Sequence, residues 1–73
     1  MHLRRHPGLS PIRAARDRAK VTREEAAVVA RRSYSTMVQY ELGRWKPPPD
    51  VLARLAELYG VTAEDLRPED GAA

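Results

Sequence analysis

Residues 31–41 read RRSYSTMVQYE and gather side chains suited to hydrogen bonding and charge pairing. Arg31 and Arg32 are permanent cations. The hydroxyls of Ser33, Tyr34, Ser35 and Thr36 can both donate and accept, and the amide of Gln39 does both at once. This is the chemistry of recognition and not of bond making. Elsewhere the chain offers no nucleophile–base pair, no phosphate-cradling loop and no metal-ligand cluster, so no catalysis and no cofactor are expected. It has no cysteine, and its two histidines, His2 and His6, stand in the N-terminal stretch without further ligands at metal spacing.

The setting of this stretch is electrostatically lopsided. Residues 1–46 carry eleven Lys and Arg against four acids, a net +7, whereas residues 47–73 carry two arginines against six acids, a net −4. A basic front of this kind attracts an anionic polymer such as nucleic acid. A plain solvated surface is the alternative reading of the same charges.

Caps and breakers place the elements that must position these groups. Ser10-Pro11 reads as an N-cap followed by proline in the first helical position, opening a helix to about Lys20 with Ile12, Ala15, Arg16 and Ala19 on one face. Thr22-Arg-Glu-Glu25 is a capping box that opens a second helix through Ala30. Ser33 caps a third helix, which ends near Gly43. The prolines of GRWKPPP stop any continuation. Pro49 or Asp50 begins a fourth helix that Gly60 ends, and Thr62-Ala-Glu-Asp65 caps a short fifth that fades before Pro68. The expected fold is all-α, a compact bundle of four to five helices. Residues 10–67 would form the domain, residues 1–9 a flexible basic arm, and residues 68–73 a flexible tail.

Seventy-three residues make one small domain. At that size only ~60% of the unfolded chain's surface becomes buried, so close helix packing or a partner chain has to compensate. No segment approaches the ~20 apolar residues of a membrane span, and the N-terminus lacks the apolar middle of a signal peptide, so a cytoplasmic location is expected.

The second and third helices are joined by Arg31 and Arg32 alone. So short a link forces a sharp crossing that suits the small side chains of Ala26, Ala27 and Ala30, which is helix-turn-helix geometry. Here the sequence resembles the Cro/Xre family, the phage-repressor-like helix-turn-helix DNA-binding domains, over about residues 11–66. Counted from Arg23, Ala27 stands in the family's fifth place, Met37 in its fifteenth and Tyr40 in its eighteenth. YELGRWKPP matches the loop after the unit, and AELYGVTAEDL matches the closing helix and the capped last turn. The helix-turn-helix unit spans about residues 22–42. In its ninth place, where the family favours glycine in a left-handed turn, this chain has Arg31. Such a residue should cost ~1 kcal/mol or shift the backbone. Arg32 replaces a commonly apolar residue and should pack its stem while directing its guanidinium outward. Arg23 replaces a usual glutamine.

The resemblance implies roles residue by residue. Base edges would be met by Tyr34, Ser35, Val38 and Gln39, which fall within one arc of about 140° on a helical wheel, while Met37 and Tyr40 point to the core. Gln39 suits adenine, Ser35 can donate or accept, and Val38 suits a thymine methyl. Phosphates would be met by Thr22 and Arg23 at the start of the second helix, by Arg31, Arg32 and Ser33 at the entrance of the third, and by Arg44, Trp45 and Lys46 after it. Trp45 could equally cover an edge of the core. Arg4 and Arg5 could serve as an arm along the duplex or remain idle. Arg16 and Glu41 occupy the places of a structural ion pair between the first and third helices.

The function so implied is a sequence-specific double-stranded DNA-binding regulator, a small phage-like or mobile-element repressor that occludes a promoter as a homodimer on an inverted repeat. Dimer contacts would come from the last helix and its loop, around Tyr59, Val61 and Leu66. The alternative is an antitoxin or adaptor of the same fold whose main task is to bind a protein partner. Val28, Val29 and Leu42, more apolar than exposed positions usually are, either thicken the core or favour that alternative.

Overall fold

The computed structural model describes residues 10–67. Four α-helices follow one another: α1 (Pro11–Ala19), α2 (Arg23–Ala30), α3 (Tyr34–Glu41) and α4 (Pro49–Tyr59). A 3₁₀ turn, Glu64–Leu66, is the last element among the described residues and stands in place of a fifth α-helix. No strand occurs among the described residues, and the architecture is all-α. The arm residues Arg4 and Arg5, both histidines and the tail from Pro68 onward lie outside the described residues.

The first three helices start where a local side chain can replace a missing backbone partner. The Arg13 N–H donates to Ser10 Oγ at 3.1 Å, and the Thr36 N–H to Ser33 Oγ at 3.1 Å. At α2 the box is reciprocal: the Glu25 N–H donates to Thr22 Oγ1 at 3.1 Å, and the Thr22 N–H to Glu25 Oε1 at 2.9 Å. The helix α4 has no such side chain and begins instead on proline, which has no N–H to satisfy.

The four helix ends share one device. After each, a residue with positive φ turns the chain, and two N–H groups bond back to the last turn, which is a Schellman end. Gly43 (φ 79°) and Gly60 (φ 75°) do this after α3 and α4. Lys20 (φ 60°) and Arg31 (φ 59°) do it after α1 and α2. After α2 the Arg31 N–H reaches the Val28 oxygen at 3.1 Å and the Arg32 N–H the Ala27 oxygen at 3.0 Å. Arg31 thus adopts the left-handed turn itself; the backbone has not shifted to avoid it. A side chain in that region costs about 1–2 kcal/mol, which the two returning hydrogen bonds must offset.

The core is built from small and aliphatic side chains. Ala26, Ala27 and Ala30 line the inner face of α2, which packs against α3 and α4. Met37, Val51, Leu55 and Leu66 are wholly buried, and removing each from water contributes roughly 1.5–3 kcal/mol. Along α4 the buried residues Val51, Leu52, Leu55, Ala56 and Tyr59 form one stripe. Arg54, beside that stripe, bonds Asp50 at 3.2 Å and donates from Nη1 to the Ala30 carbonyl at 3.3 Å, so α4 holds the end of α2 directly.

One expectation about surfaces is corrected here and one open alternative is narrowed. Tyr59 and Leu66 belong to the core and cannot serve as a dimer surface, while Val61 is only partly buried against that core. Val28 (77% exposed) and Leu42 (50% exposed) do not thicken the core, and Val29 is half-buried.

Candidate nucleic-acid interface

Helix α3 sorts its side chains by face. Met37 and Tyr40 are buried, whereas Tyr34 and Ser35 are exposed and Val38 and Gln39 half-buried. The sorting follows from the helical period: residues three and four apart share a side, so the pair facing the alanines of α2 leaves the other four on the far side. Of the four, Tyr34 is held most firmly. Its hydroxyl accepts a hydrogen bond from Arg23 Nη1 at 2.9 Å, and the Arg23 guanidinium carbon lies 5.4 Å from the centre of its ring.

Behind that face lies a charged cluster. Glu41, the last residue of α3, is 3% exposed. Arg16 of α1 donates to it through Nε at 2.7 Å and through Nη2 at 3.3 Å, and donates from Nη1 to the Val21 carbonyl at 3.0 Å. Arg23 of α2 adds a third bond, Nε to Oε1 at 2.9 Å. One buried carboxylate therefore joins the first three helices. Asp17 Oδ1 lies 3.7 Å from Arg16 Nη2, so two guanidiniums meet two carboxylates, and the strong acceptors satisfy nitrogens that would otherwise be costly to bury. The hydrogen bond to Glu41 is the main reason that Arg23 holds its proton more tightly than a free guanidinium, with the bond to Tyr34 adding to it.

The rim around α3 is basic. Arg31, Arg44 and Lys46 are exposed and Arg32 half-buried, and none of them forms an ion pair with any described residue. Arg32 donates from Nη1 to the Arg31 carbonyl at 3.0 Å, which keeps its guanidinium at the turn. Trp45 is 54% exposed. Backbone N–H groups of Arg44 and Trp45 both bond the Gln39 carbonyl, at 3.0 and 3.4 Å, so the loop stays close to the end of α3.

Several residues expected at phosphates are already engaged within the chain. Thr22 Oγ1 donates to Glu25 Oε1 at 3.2 Å and Ser33 Oγ to Thr36 Oγ1 at 3.0 Å, so both hydroxyl protons serve helix caps. Arg23 keeps only Nη2 unbonded to any described residue. The union of Arg23 with Glu41 and Tyr34 was missing from the sequence reading. An arginine at the start of one helix and a phenol at the first position of the next are visible in sequence, but nothing there says that they meet.

A helix-turn-helix domain family matches residues 12–69, from the second residue of α1 through the closing turn. The chain belongs to the helix-turn-helix domain family, consistent with the Cro/Xre-type resemblance of its loop and closing helix. No curated protein matched the chain, and no solved structure did. Membership of this family makes DNA binding the coarse function of the chain. No helix among the described residues is long and apolar enough to cross a membrane.

Proposed function

We propose that the protein is a sequence-specific regulator of transcription that docks α3 in the major groove of double-stranded DNA. One observation carries the reading. The four side chains Tyr34, Ser35, Val38 and Gln39 share the side of α3 away from the core, next to cations that no described acid neutralises. Gln39 would pair with adenine, Val38 would meet a thymine methyl, and Ser35 would adjust to either base. Arg31, Arg32, Arg44 and Lys46 would hold the phosphates on both sides of the groove. Arg23, Ser33 and Trp45 would add contacts through backbone N–H groups, the Arg23 Nη2 and the indole N–H, whereas Thr22 has both its N–H and its hydroxyl proton committed to Glu25.

Acting in this way, a small cytoplasmic repressor of the phage or mobile-element kind would bind as a homodimer to an inverted repeat and exclude polymerase from a promoter. Its half-sites would lie about 34 Å apart, one helical turn. Selection of bound duplexes from a random DNA pool tests this. An enriched inverted repeat with that spacing supports the reading, and a pool that remains random after repeated rounds overturns it.

A second reading has an observation of its own. Val28, Leu42 and Trp45 are large apolar side chains left in solvent, as on an antitoxin or adaptor that binds a protein. A partner recovered at stoichiometric level from lysate, and retained after nuclease treatment, would favour this reading over the first.

A further inference from the structure

Arg23 stands where the buried cluster meets the outer face of α3. Its Nε is bonded to Glu41 and its Nη1 to the Tyr34 hydroxyl, both at 2.9 Å. The carboxylate is fixed in turn by Arg16 from the other side. Orientation therefore passes from α1 through Glu41 to the first side chain of α2, and from there to the first side chain of α3. Only arginine has the planar fork of donors that can serve two such acceptors at once; a lysine is a point charge on a flexible stem.

The contact also sets the polarity of Tyr34. A guanidinium can only donate, so the phenol oxygen accepts, and its single proton remains to be given elsewhere. No described residue takes that proton. Tyr34 is 45% exposed on the side of α3 assigned to DNA. We infer that Glu41 and Arg23 are positioning residues for DNA recognition, which present Tyr34 to the duplex as a hydrogen-bond donor aimed at an acceptor atom. This rests on the DNA-binding reading above. The acceptor is either a phosphate oxygen or a base-edge atom such as purine N7, guanine O6 or thymine O4, whereas the cytosine amino group is itself a donor and is rejected.

The test uses the full chain and a duplex selected from a random pool. Dissociation constants are measured for the wild type, Arg23→Lys, Tyr34→Phe and the double variant. Arg23→Lys is the deciding change, because it keeps the charge and leaves the Arg16–Glu41 pair in place; thermal melting confirms that each variant is folded. Each single change should weaken binding about tenfold, the worth of about one hydrogen bond. The double variant should bind within about twofold of the weaker single, since both changes remove the same contact. A loss confined to one operator position, with cytosine there no longer rejected, identifies a base edge. A loss equal across operator variants identifies a phosphate, and either pattern supports the inference. Wild-type affinity in Arg23→Lys, or single losses that multiply in the double variant, overturns it while the DNA reading stands. A wild-type chain that enriches no duplex overturns both.

Discussion

Arg16 and Glu41 lie side by side in the interior, with the arginine Nε 2.7 Å from one carboxylate oxygen and Nη2 3.3 Å from the other. Truncating one member of a buried pair leaves the other charge poorly compensated. Arg23 would still hold Glu41, so the cost of Arg16→Ala falls at the low end for such pairs, about 3 kcal/mol. In a small domain that is a large part of the total stability, and the melting temperature should fall by more than 10 °C, on the order of 4–8 °C per kcal/mol. Base preference should not change, because Arg23 keeps its own bonds to Glu41 and to the Tyr34 hydroxyl when Arg16 is gone. A variant that melts with the wild type would remove the pair from the account of the fold.

Arg31 separates stability from binding. In its left-handed conformation a glycine would be unstrained, so Arg31→Gly should raise stability by about 1 kcal/mol. The same change removes a cation from the rim and should weaken DNA binding at low salt. Urea titration and binding measured on one preparation would show the two effects with opposite signs. Equal stability of the two proteins would mean that the turn carries no strain.

How much of this was legible beforehand depended on the range of the interaction. Ser10, Thr22, Ser33, Gly43 and Gly60 act on residues three or four positions away, so the limits of the helices could be read along the chain. Lys20 could not, because nothing about a lysine announces positive φ. The Arg23–Tyr34 contact and the clasp of Arg54 on the Ala30 carbonyl depend on how separate helices are placed in space. Tyr59 is a different case. It completes the stripe of Val51, Leu52, Leu55 and Ala56, and this period marks it as core; the expectation of a dimer surface came from the family resemblance and overrode that local signal. The fold and the polar side of α3 were therefore readable, and the wiring behind that side was not.

Tyr59 should make the fold sensitive to alkali. Its hydroxyl is buried with no hydrogen-bond partner among the described residues. Burial pushes its pKa up to about 12, with the Glu41 charge adding to the shift. An unfolded phenol titrates near pH 10. Between these values the unfolded chain releases the proton while the folded chain retains it, so the stability present below pH 10 declines as pH rises toward 12, by about 2 kcal/mol. Tyr59→Phe should abolish this contribution and at pH 7 should be neutral or stabilising by about 1 kcal/mol, since the orphaned hydroxyl is lost. Unfolding midpoints at pH 7 and pH 11 check both statements. A Phe variant clearly less stable at pH 7 would reveal a partner for the hydroxyl.

The rim cations should reveal themselves through salt. Arg44→Gln and Lys46→Gln should each weaken binding to every duplex alike and flatten the dependence of log K on log salt by about 0.9, one released counterion apiece. Unchanged slopes would place the loop after α3 away from the backbone of the duplex.

The central claim is that the outward side of α3 reads base sequence. It is tested most directly by the ratio of affinities for a selected duplex and a scrambled one, measured for the wild type and for Gln39→Ala. Gln39→Ala should lower affinity for the selected duplex by about 1–3 kcal/mol and relax preference at a single position, while affinity for the scrambled duplex stays the same. A ratio that the substitution leaves untouched would contradict it.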